Sequence, residues 1–461
     1  MNKSKFTISH SSTIREGLAA ISSNLIGMVF ILGEDEQVIG VVTDGDIRSS
    51  LLSGVSLSDS IELAMNSNFV WRRDTDSHES MLKLLDSRIK AIPILDANMR
   101  FIDVMTSEKI SAVVEKGIFA RAKAPVRISF AGGGSDLTHY FMEKGGAVIN
   151  ATISLYCHAT LRPRDDLKIT IDSLDLGEKV GFNDLEDLLA KKDNFDLFRS
   201  LLKLIKPEFG FDLTVLSDFP SGSGLGGSSS VMVAICGCFN EFRKDKWDDY
   251  ELAEMAFQAE RLDMKISGGW QDQYASVFGG FNFIEFRRDN NLIHPLRLNN
   301  RTLLELQENL VLFEITSGRN SGSIHDDQQV TMQDKKVQDM VKENVSHCYD
   351  MRESLLRGNL NDFGSGLNTA WNFKRQFSEK ISNDELNDIY DFAIVSGALG
   401  GKLLGAGGGG FFVFYVKHFA KNSFLSAMKK KGFTQTLFNF DHNGMQSWTI
   451  RDTSKLNIQG K

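Results

Sequence analysis

The 461-residue chain holds 42% hydrophobic and 24% charged residues with a formal net charge of −8, a globular composition too long for one ordinary core, so two to four domains are expected. Its charges are interleaved, with no basic run to track a nucleic-acid backbone, and nowhere do about eighteen apolar residues run together, which argues against nucleic-acid and membrane partners. The polar start MNKSKFTISHSS has no apolar signal core, and four cysteines (Cys157, Cys236, Cys238, Cys348) are too few for a disulfide framework, so a cytoplasmic chain with buried reduced thiols is expected.

Shifted by 63 residues, Thr13 to Ile47 aligns with Asp76 to Ile110 without a gap, an internal duplication. Each copy opens on a capping box, TIRE at Thr13 to Glu16 and DSHE at Asp76 to Glu79, followed by an apolar helical pattern. Each continues with a short apolar strand (MVFIL, AIPIL), a polar turn (GEDEQ, DANMR) and a second strand ending at Thr43 or Thr106. Two such units must pack together to bury both apolar faces. These residues resemble a CBS-domain pair, most of all in GVVTDGDIR, Gly40 to Arg48. The resemblance implies an adenine-nucleotide site at Thr43 and Asp46, and only one, because the second copy reads TSEK with Lys109 in the place of the aspartate. Read by themselves, Thr43 and Asp46 also complete a capping box and need do no more than start a helix. The pair is placed at residues 1–118, with repeats at about 10–65 and 66–115, and Ser111 to Ala124 reads as the connection that follows. Dimerisation or adenylate control is the role expected of it, with a homodimer as the assembly.

Beyond residue 120 the glycines gather in PVRISFAGGGSD (Pro125 to Asp136), FPSGSGLGGSSS (Phe219 to Ser230) and GKLLGAGGGGFF (Gly401 to Phe412). Strand-like runs such as FDLTVL and FFVFYV adjoin them, which linkers lack. Backbone lined with glycine approaches a ligand closely and turns several N–H groups toward one anion. Gly222, Gly224 and Gly227 satisfy G-x-G-x-x-G, yet Glu241, spaced like a ribose-binding acid, falls inside a helical run instead of ending a second strand. FDLTV alternates apolar and polar, unlike the apolar run of a doubly wound sheet. A Walker A loop fails too: GALGGKLL has three residues between Gly and Gly-Lys, and Leu403 where a hydroxyl must bind metal. What remains is a turn feeding a helix. Ser228, Ser229 and Ser230 precede VMVAICGCF, apolar all round and so a buried helix, whose free N–H groups a phosphate would satisfy. Capping accounts for one serine hydroxyl and leaves four glycines unexplained.

A further helix starts at WDDYELAEM with Asp248 and Glu251 as its capping box. On its wheel Glu260 flanks the buried side, where a carboxylate costs energy without a cation or donors. Twelve residues on, GGWQDQYASVFGGF encloses Asp272 between glycine pairs. A cradle for phosphate, a spare glutamate and this aspartate together suit phosphoryl transfer, which needs Mg²⁺ on oxygen ligands and a group to take the nucleophile's proton.

In this order, over roughly residues 120 to 461, the stretches resemble the GHMP kinases, with Pro220 to Ser228 matching the family's P-x-G-x-G-L-G-S-S except for Gly227 in place of the first serine. The resemblance implies an α+β fold, the CBS pair followed by a two-lobed GHMP kinase: a ribosomal S5 domain 2-like lobe at 119–300 and a ferredoxin-like C-terminal lobe at 301–461. It implies ATP held by Gly222, Ser223, Gly224, Leu225, Gly226, Gly227, Ser228 and Ser229, Mg²⁺ held by Ser228 and Glu260, and Asp272 and Arg127 as catalytic residues. Gly133, Gly134, Ser135, Asp136, Gly407, Gly408 and Lys402 would bind substrate. RISFAGGGSD, GGWQDQYASVFGGFNFIEF and ALGGKLLGAGGGGF are most similar to the heptose-phosphate kinase and fucokinase branch. The implied reaction moves the ATP γ-phosphate to the anomeric hydroxyl of a sugar or sugar phosphate, D-glycero-D-manno-heptose 7-phosphate giving the 1,7-bisphosphate. The alternatives are a sugar 1-kinase acting on an unphosphorylated sugar and, in another class, a nucleotide-responsive binding protein with a decayed kinase site. A substrate phosphate would need a basic pocket, for which Arg319, Lys374, Arg375 and Lys402 are candidates, each also readable as a surface charge. Trp371 reads as a sugar-site wall or as a core aromatic.

Overall fold

The computed structural model describes residues 5–451 apart from 25, 74, 77–83, 86–88, 107–117, 265, 316–326, 328–330 and 332–333. Residues 77–79 of the second capping box, Lys109 and Arg319 lie outside the described residues. The chain divides into two compact units, 1–116 and 117–461.

In the first unit strands β1 (Thr7–Ser9), β2 (Met28–Leu32) and β3 (Val38–Thr43) form one sheet, and β4 (Arg72–Arg73), β5 (Ala91–Leu95) and β6 (Phe101–Thr106) another, each in that order. The 63-residue duplication holds down to the backbone. The register shifts at Ile31/Leu32 in one hairpin and at Ile94/Leu95 in the other, and Glu36 and Met99 occupy the same left-handed turn position at φ 58° and 61°. Phe6, Phe30 and Val38 pack with Ala91, Leu95, Phe101 and Val104 in a shared core, which is how each copy covers the other's apolar face. The first capping box forms as read: Glu16 accepts from Thr13 N and Oγ1, and Glu16 N donates to Thr13 Oγ1.

The second unit is built on β8 (Gly146–Pro163). Its 18 residues pair antiparallel with β7 (Ile118–Ala131) along one edge, and with β11 (Phe211–Ser217) and β12 (Phe281–Phe286) along successive halves of the other. Strands β9 (Ile169–Ser173) and β10 (Glu178–Phe182) extend the sheet beyond β11, and β13 (Asn291–Pro295) extends it beyond β12. Residues 118–124, expected in the connection, are instead the first half of β7: Ala120, Ala122 and Ala124 are buried in the core beneath the helix Gly227–Asn240. Small side chains at alternate positions let that helix lie close, and polar intervening residues disguised the strand in the sequence. A four-stranded antiparallel sheet runs β15 (Ala398–Leu403), β16 (Gly410–Val416), β14 (Leu310–Ile315), β17 (Gln435–Thr436). The chain then leaves the expected C-terminal lobe: β18 (Gln446–Arg451) returns to pair with β7 from Lys123 to Ile118, supplying partners to an edge that would otherwise be open. All four cysteines are free and buried, and burial pushes their thiols up. No helix among the described residues is long and apolar enough to cross a membrane.

Candidate active site

The loop ahead of the helix Gly227–Asn240 coils through three glycines of positive φ, Gly222 at 74°, Gly224 at 74° and Gly226 at 82°. Gly226 is the N-cap, and a Cβ there would sit 3.2 Å from Asp272 Cγ, so both its conformation and its neighbour demand glycine. The helix starts earlier than the sequence suggested, placing Ser228, Ser229 and Ser230 inside its first turn. No side chain caps it, which rules out capping as the use of the serines. Ser230 Oγ donates to Ala124 O at 2.7 Å; Ser228 and Ser229 both turn to Glu260.

Glu260 is fully buried. The helix Asp249–Phe257 has the expected capping box between Asp248 and Glu251, but it continues into a π-helical turn, Gln258–Asp263, so the wheel that put Glu260 at the flank no longer applies. The extra residue per turn carries the carboxylate inward. There it accepts from Ser228 Oγ, from Ser229 Oγ at 2.8 Å and from Gln273 Nε2 at 2.7 Å, with Arg261 Nη1 at 3.5 Å. Gln273 and Arg261 were not foreseen; the Asp-Gln step at 272–273 was the signal available, since a residue beside Asp272 on the same first turn reaches the same cleft.

Asp272 lies in the first turn of the helix Gln271–Phe278. Its Oδ1 accepts from Arg127 Nε at 2.8 Å and lies 2.6 Å from Nη2, while Arg127 Nη1 donates to Gly224 O at 2.7 Å. One guanidinium thereby fastens β7, the glycine loop and the aspartate together. The other carboxylate oxygen, Oδ2, faces Gly226. Asp136 is 5% exposed, accepts from Gly134 N at 3.1 Å, and packs against Gly269 so closely that a Cβ there would collide with it. Burial, then the charge of Asp272, raises its pKa, against the pull of backbone N–H groups at Gly134, Asp136 and Gln271.

The glycine-rich stretch after β15 meets the first loop backbone to backbone, Gly224 against Leu404 and Gly405, and Ser223 against Gly410. Gly408 N donates to Ile381 O at 2.8 Å, and Gly407 packs on the same residue. Lys402 and Lys374, readable as surface charges, are both buried, whereas Arg375 is exposed. Two further expectations change, and the reading of Trp371 as a core aromatic stands. Ser135, placed with the substrate ligands, is fully buried and its hydroxyl serves the turn, donating to Gly132 O and Ala147 O and accepting from Ala147 N. Leu225 is fully buried; its carbonyl accepts from Arg127 N and its N–H donates to Ser223 Oγ at 3.4 Å. Trp371 is a core residue against Tyr390 and Phe412. In the first unit, Asp46 Oδ2 accepts from Thr43 N at 2.8 Å and Thr43 Oγ1 at 2.7 Å, and Thr43 Oγ1 accepts from Asp46 N at 3.2 Å. The capping box engages both side chains.

Residues 195–280 match the GHMP kinases N terminal domain, 351–433 the GHMP kinases C terminal domain and 1–53 the CBS domain. The chain is 38% identical over 337 residues to the D-glycero-alpha-D-manno-heptose 7-phosphate kinase of Campylobacter jejuni, covering 72% of this chain and 99% of that one. It is 28% identical to the L-fucokinase/L-fucose-1-P guanylyltransferase of Bacteroides fragilis over 64% of this chain and 34% of that longer protein. Among solved structures, a D-glycero-D-manno-heptose 1-phosphate kinase from Bacteroides thetaiotaomicron superposes with a TM-score of 0.60 at 28% identity, over 72% of this chain and all of that one. Glycine loops that meet backbone to backbone, a buried glutamate held by two serines and an arginine-held aspartate, together with these likenesses, lead to one conclusion: the chain belongs to the GHMP kinase family of ATP-dependent phosphotransferases, as a sugar kinase carrying a CBS domain at its N-terminus.

Proposed function

We propose that this kinase phosphorylates the anomeric hydroxyl of D-glycero-D-manno-heptose 7-phosphate to give the 1,7-bisphosphate. The observation that carries the reading is Asp272, held through one oxygen by Arg127 with the other turned toward the left-handed glycine loop. In that position Oδ2 takes the proton of a sugar hydroxyl brought alongside it, a contribution of about 10² to 10⁴ in rate for a general base. Arg127 keeps the carboxylate aimed and adds positive charge where phosphoryl oxygens would lie. The backbone of Gly222 to Gly227, with Ser223 and the first turn at Ser228 and Ser229, forms the nucleotide cradle. Gly133, Gly134 and Asp136 form the sugar side, where Asp136 grips hydroxyls, and Gly407 and Gly408, packed on Ile381, support it from behind.

The donor set fits Mg²⁺. Among the described residues no three His, Cys, Asp or Glu side chains gather to cage a metal, whereas Ser228 and Glu260 offer the two hard oxygens that suffice when phosphates and water supply the rest. Bound there, Mg²⁺ would offset charge on the nucleotide phosphates. Arg261 and Gln273 hold the Glu260 carboxylate in place for it.

The choice of sugar is supported by the Campylobacter relative, which matches over nearly its whole length. Phosphate transfer from Mg-ATP across a panel of free sugars and sugar 6- and 7-phosphates tests it, with Asp272→Asn as the control. Turnover confined to the heptose 7-phosphate and lost in the control is the expected result. Preference for free L-fucose or another unphosphorylated sugar would overturn the substrate while leaving a sugar kinase. For the CBS unit we propose an adenine nucleotide at Thr43 and Asp46 as regulator. Sugar-kinase kinetics of the full chain that do not respond to AMP or ADP beyond simple competition with ATP would remove that role.

A further inference from the structure

Lys374 ends the helix Leu360–Lys374 and Lys402 lies on β15, yet both are withdrawn from solvent, at 8% and 3% exposure. Lys374 Nζ donates to Leu403 O at 3.0 Å and to Gly405 O, in the glycine-rich stretch that meets the nucleotide loop. Lys402 Nζ donates to Ser129 O at 2.9 Å, on β7 ahead of the substrate loop. An ammonium has three donors, so backbone carbonyls leave some of them unused on each lysine.

Neither lysine pairs with a carboxylate among the described residues. Asp272 is taken by Arg127, and Asp136 by backbone N–H groups of Gly134 and Gln271. The electrostatic neighbourhood therefore holds three cations, Arg127, Lys374 and Lys402, against two carboxylates, Asp136 and Asp272. Burial lowers the pKa of Lys374 well below its ordinary value, and the charges of Lys402 and Arg127 push the same way. Burial and then Arg127 bring Lys402 down to about 7. Two buried ammoniums that oppose each other are costly unless an anion joins them.

A second observation concerns Ser129, 4% exposed, whose Oγ is buried without a hydrogen-bond partner. It lies 3.9 Å from where a Cβ on Gly133 would stand, and Lys402 Nζ is 3.9 Å from the same point. A free hydroxyl and an unpaired ammonium thus converge under the loop Gly132–Asp136.

We infer that Lys374, Lys402 and Ser129 Oγ form a subsite for a phosphoryl dianion beside that loop. The inference rests on the kinase reading and names which groups meet a phosphate. Two sources share this chemistry: the phosphate a sugar phosphate already carries, and the γ-phosphate of the nucleotide.

The test is calorimetric titration of the full chain with inorganic phosphate, with and without saturating Mg-AMPPNP. Wild type is expected to bind phosphate, and Lys374→Met and Lys402→Met each to weaken it by about 30-fold or more. Binding that persists beside the analogue assigns the subsite to the sugar's phosphate; binding that the analogue abolishes assigns it to the γ-phosphate. Phosphate affinity unchanged in both variants, or absent in wild type at millimolar concentrations, overturns the subsite. If a methionine variant fails to fold, the wild-type melting temperature decides: no rise with phosphate over chloride at equal ionic strength also overturns it. The sugar panel is read separately. Lysine variants that lose phosphate binding while wild type turns over no sugar would sink the proposed reaction and keep the subsite, and intact heptose 7-phosphate turnover with unaffected lysine variants would do the reverse.

Discussion

Each unit of this chain sets a hydroxyl against a carboxylate, and the two pairs do different work. Thr43 and Asp46 are three residues apart, partly exposed, and satisfy each other and the helix that follows them. Ser228 and Glu260 are 32 residues apart, with the carboxylate fully buried and drawing on Ser229, Gln273 and Arg261 as well. A pair closed within one turn stabilises a helix start whether or not a ligand joins it. A pair assembled from separate elements around a buried carboxylate caps no helix, and it is the one we propose for a metal.

The sharpest way to press this contrast is at Asp272, whose partner Arg127 is 145 residues away. Asp272→Asn is expected to lower kcat by about 10² to 10⁴ while the melting temperature moves little; steady-state kinetics beside a thermal melt check both, and retained turnover would remove the aspartate from the chemistry. Glu260→Gln is next: the Mg²⁺ concentration for half-maximal rate should rise by about tenfold to a hundredfold, read from an Mg²⁺ titration at fixed ATP, and an unchanged curve would make the pair merely structural. Gly226→Ala tests the loop between them. At φ 82°, with Asp272 Cγ at 3.2 Å from the new Cβ, it should cost about 1–2 kcal/mol of stability and a larger proportion of activity, as seen by denaturant titration alongside kcat.

A pH experiment follows from Lys402. Its folded pKa falls to about 7 from 10.5, so between those values the unfolded chain keeps a proton that the folded chain lacks. Stability contributed by this group therefore rises with pH across that window and levels off below it. Urea unfolding from pH 7 to 10 should show a shallower rise in Lys402→Met than in wild type; parallel curves would place the ammonium in contact with solvent. The smallest effect belongs to the local pair. Thr43→Ala is expected to cost about 1 kcal/mol with basal sugar-kinase kinetics unchanged, and a fall in basal rate would show that the contrast between the two pairs was drawn too sharply.

How legible these features were follows from the same distinction. The duplication, the capping boxes at Thr13 and Asp248 and the alternation of Phe211–Ser217 were read directly and stand in the structure. The first half of β7 was missed because its buried positions are alanines, which carry little strand signal, and because its second edge partner, β18, lies more than 300 residues away. The candidate site was legible as residue types around glycine loops, but Ser135 and Leu225 turned out to serve the scaffold, and Lys374 and Lys402 turned inward. A lysine's sequence neighbours do not say whether its ammonium reaches water.

By itself the sequence determined what depends on residues a turn or a strand apart: the repeat, the helix starts, the glycines that allow left-handed backbone, and the family these motifs identify. Only the tertiary structure decided that a π-helical turn carries Glu260 to two serines, that Arg127 crosses to Asp272, and that two lysines are buried where cations outnumber carboxylates. Local conformation is set by short-range sterics and hydrogen bonds that any window of the chain contains. Burial and charge pairing depend on which surfaces meet, and that is fixed by the packing of the whole unit.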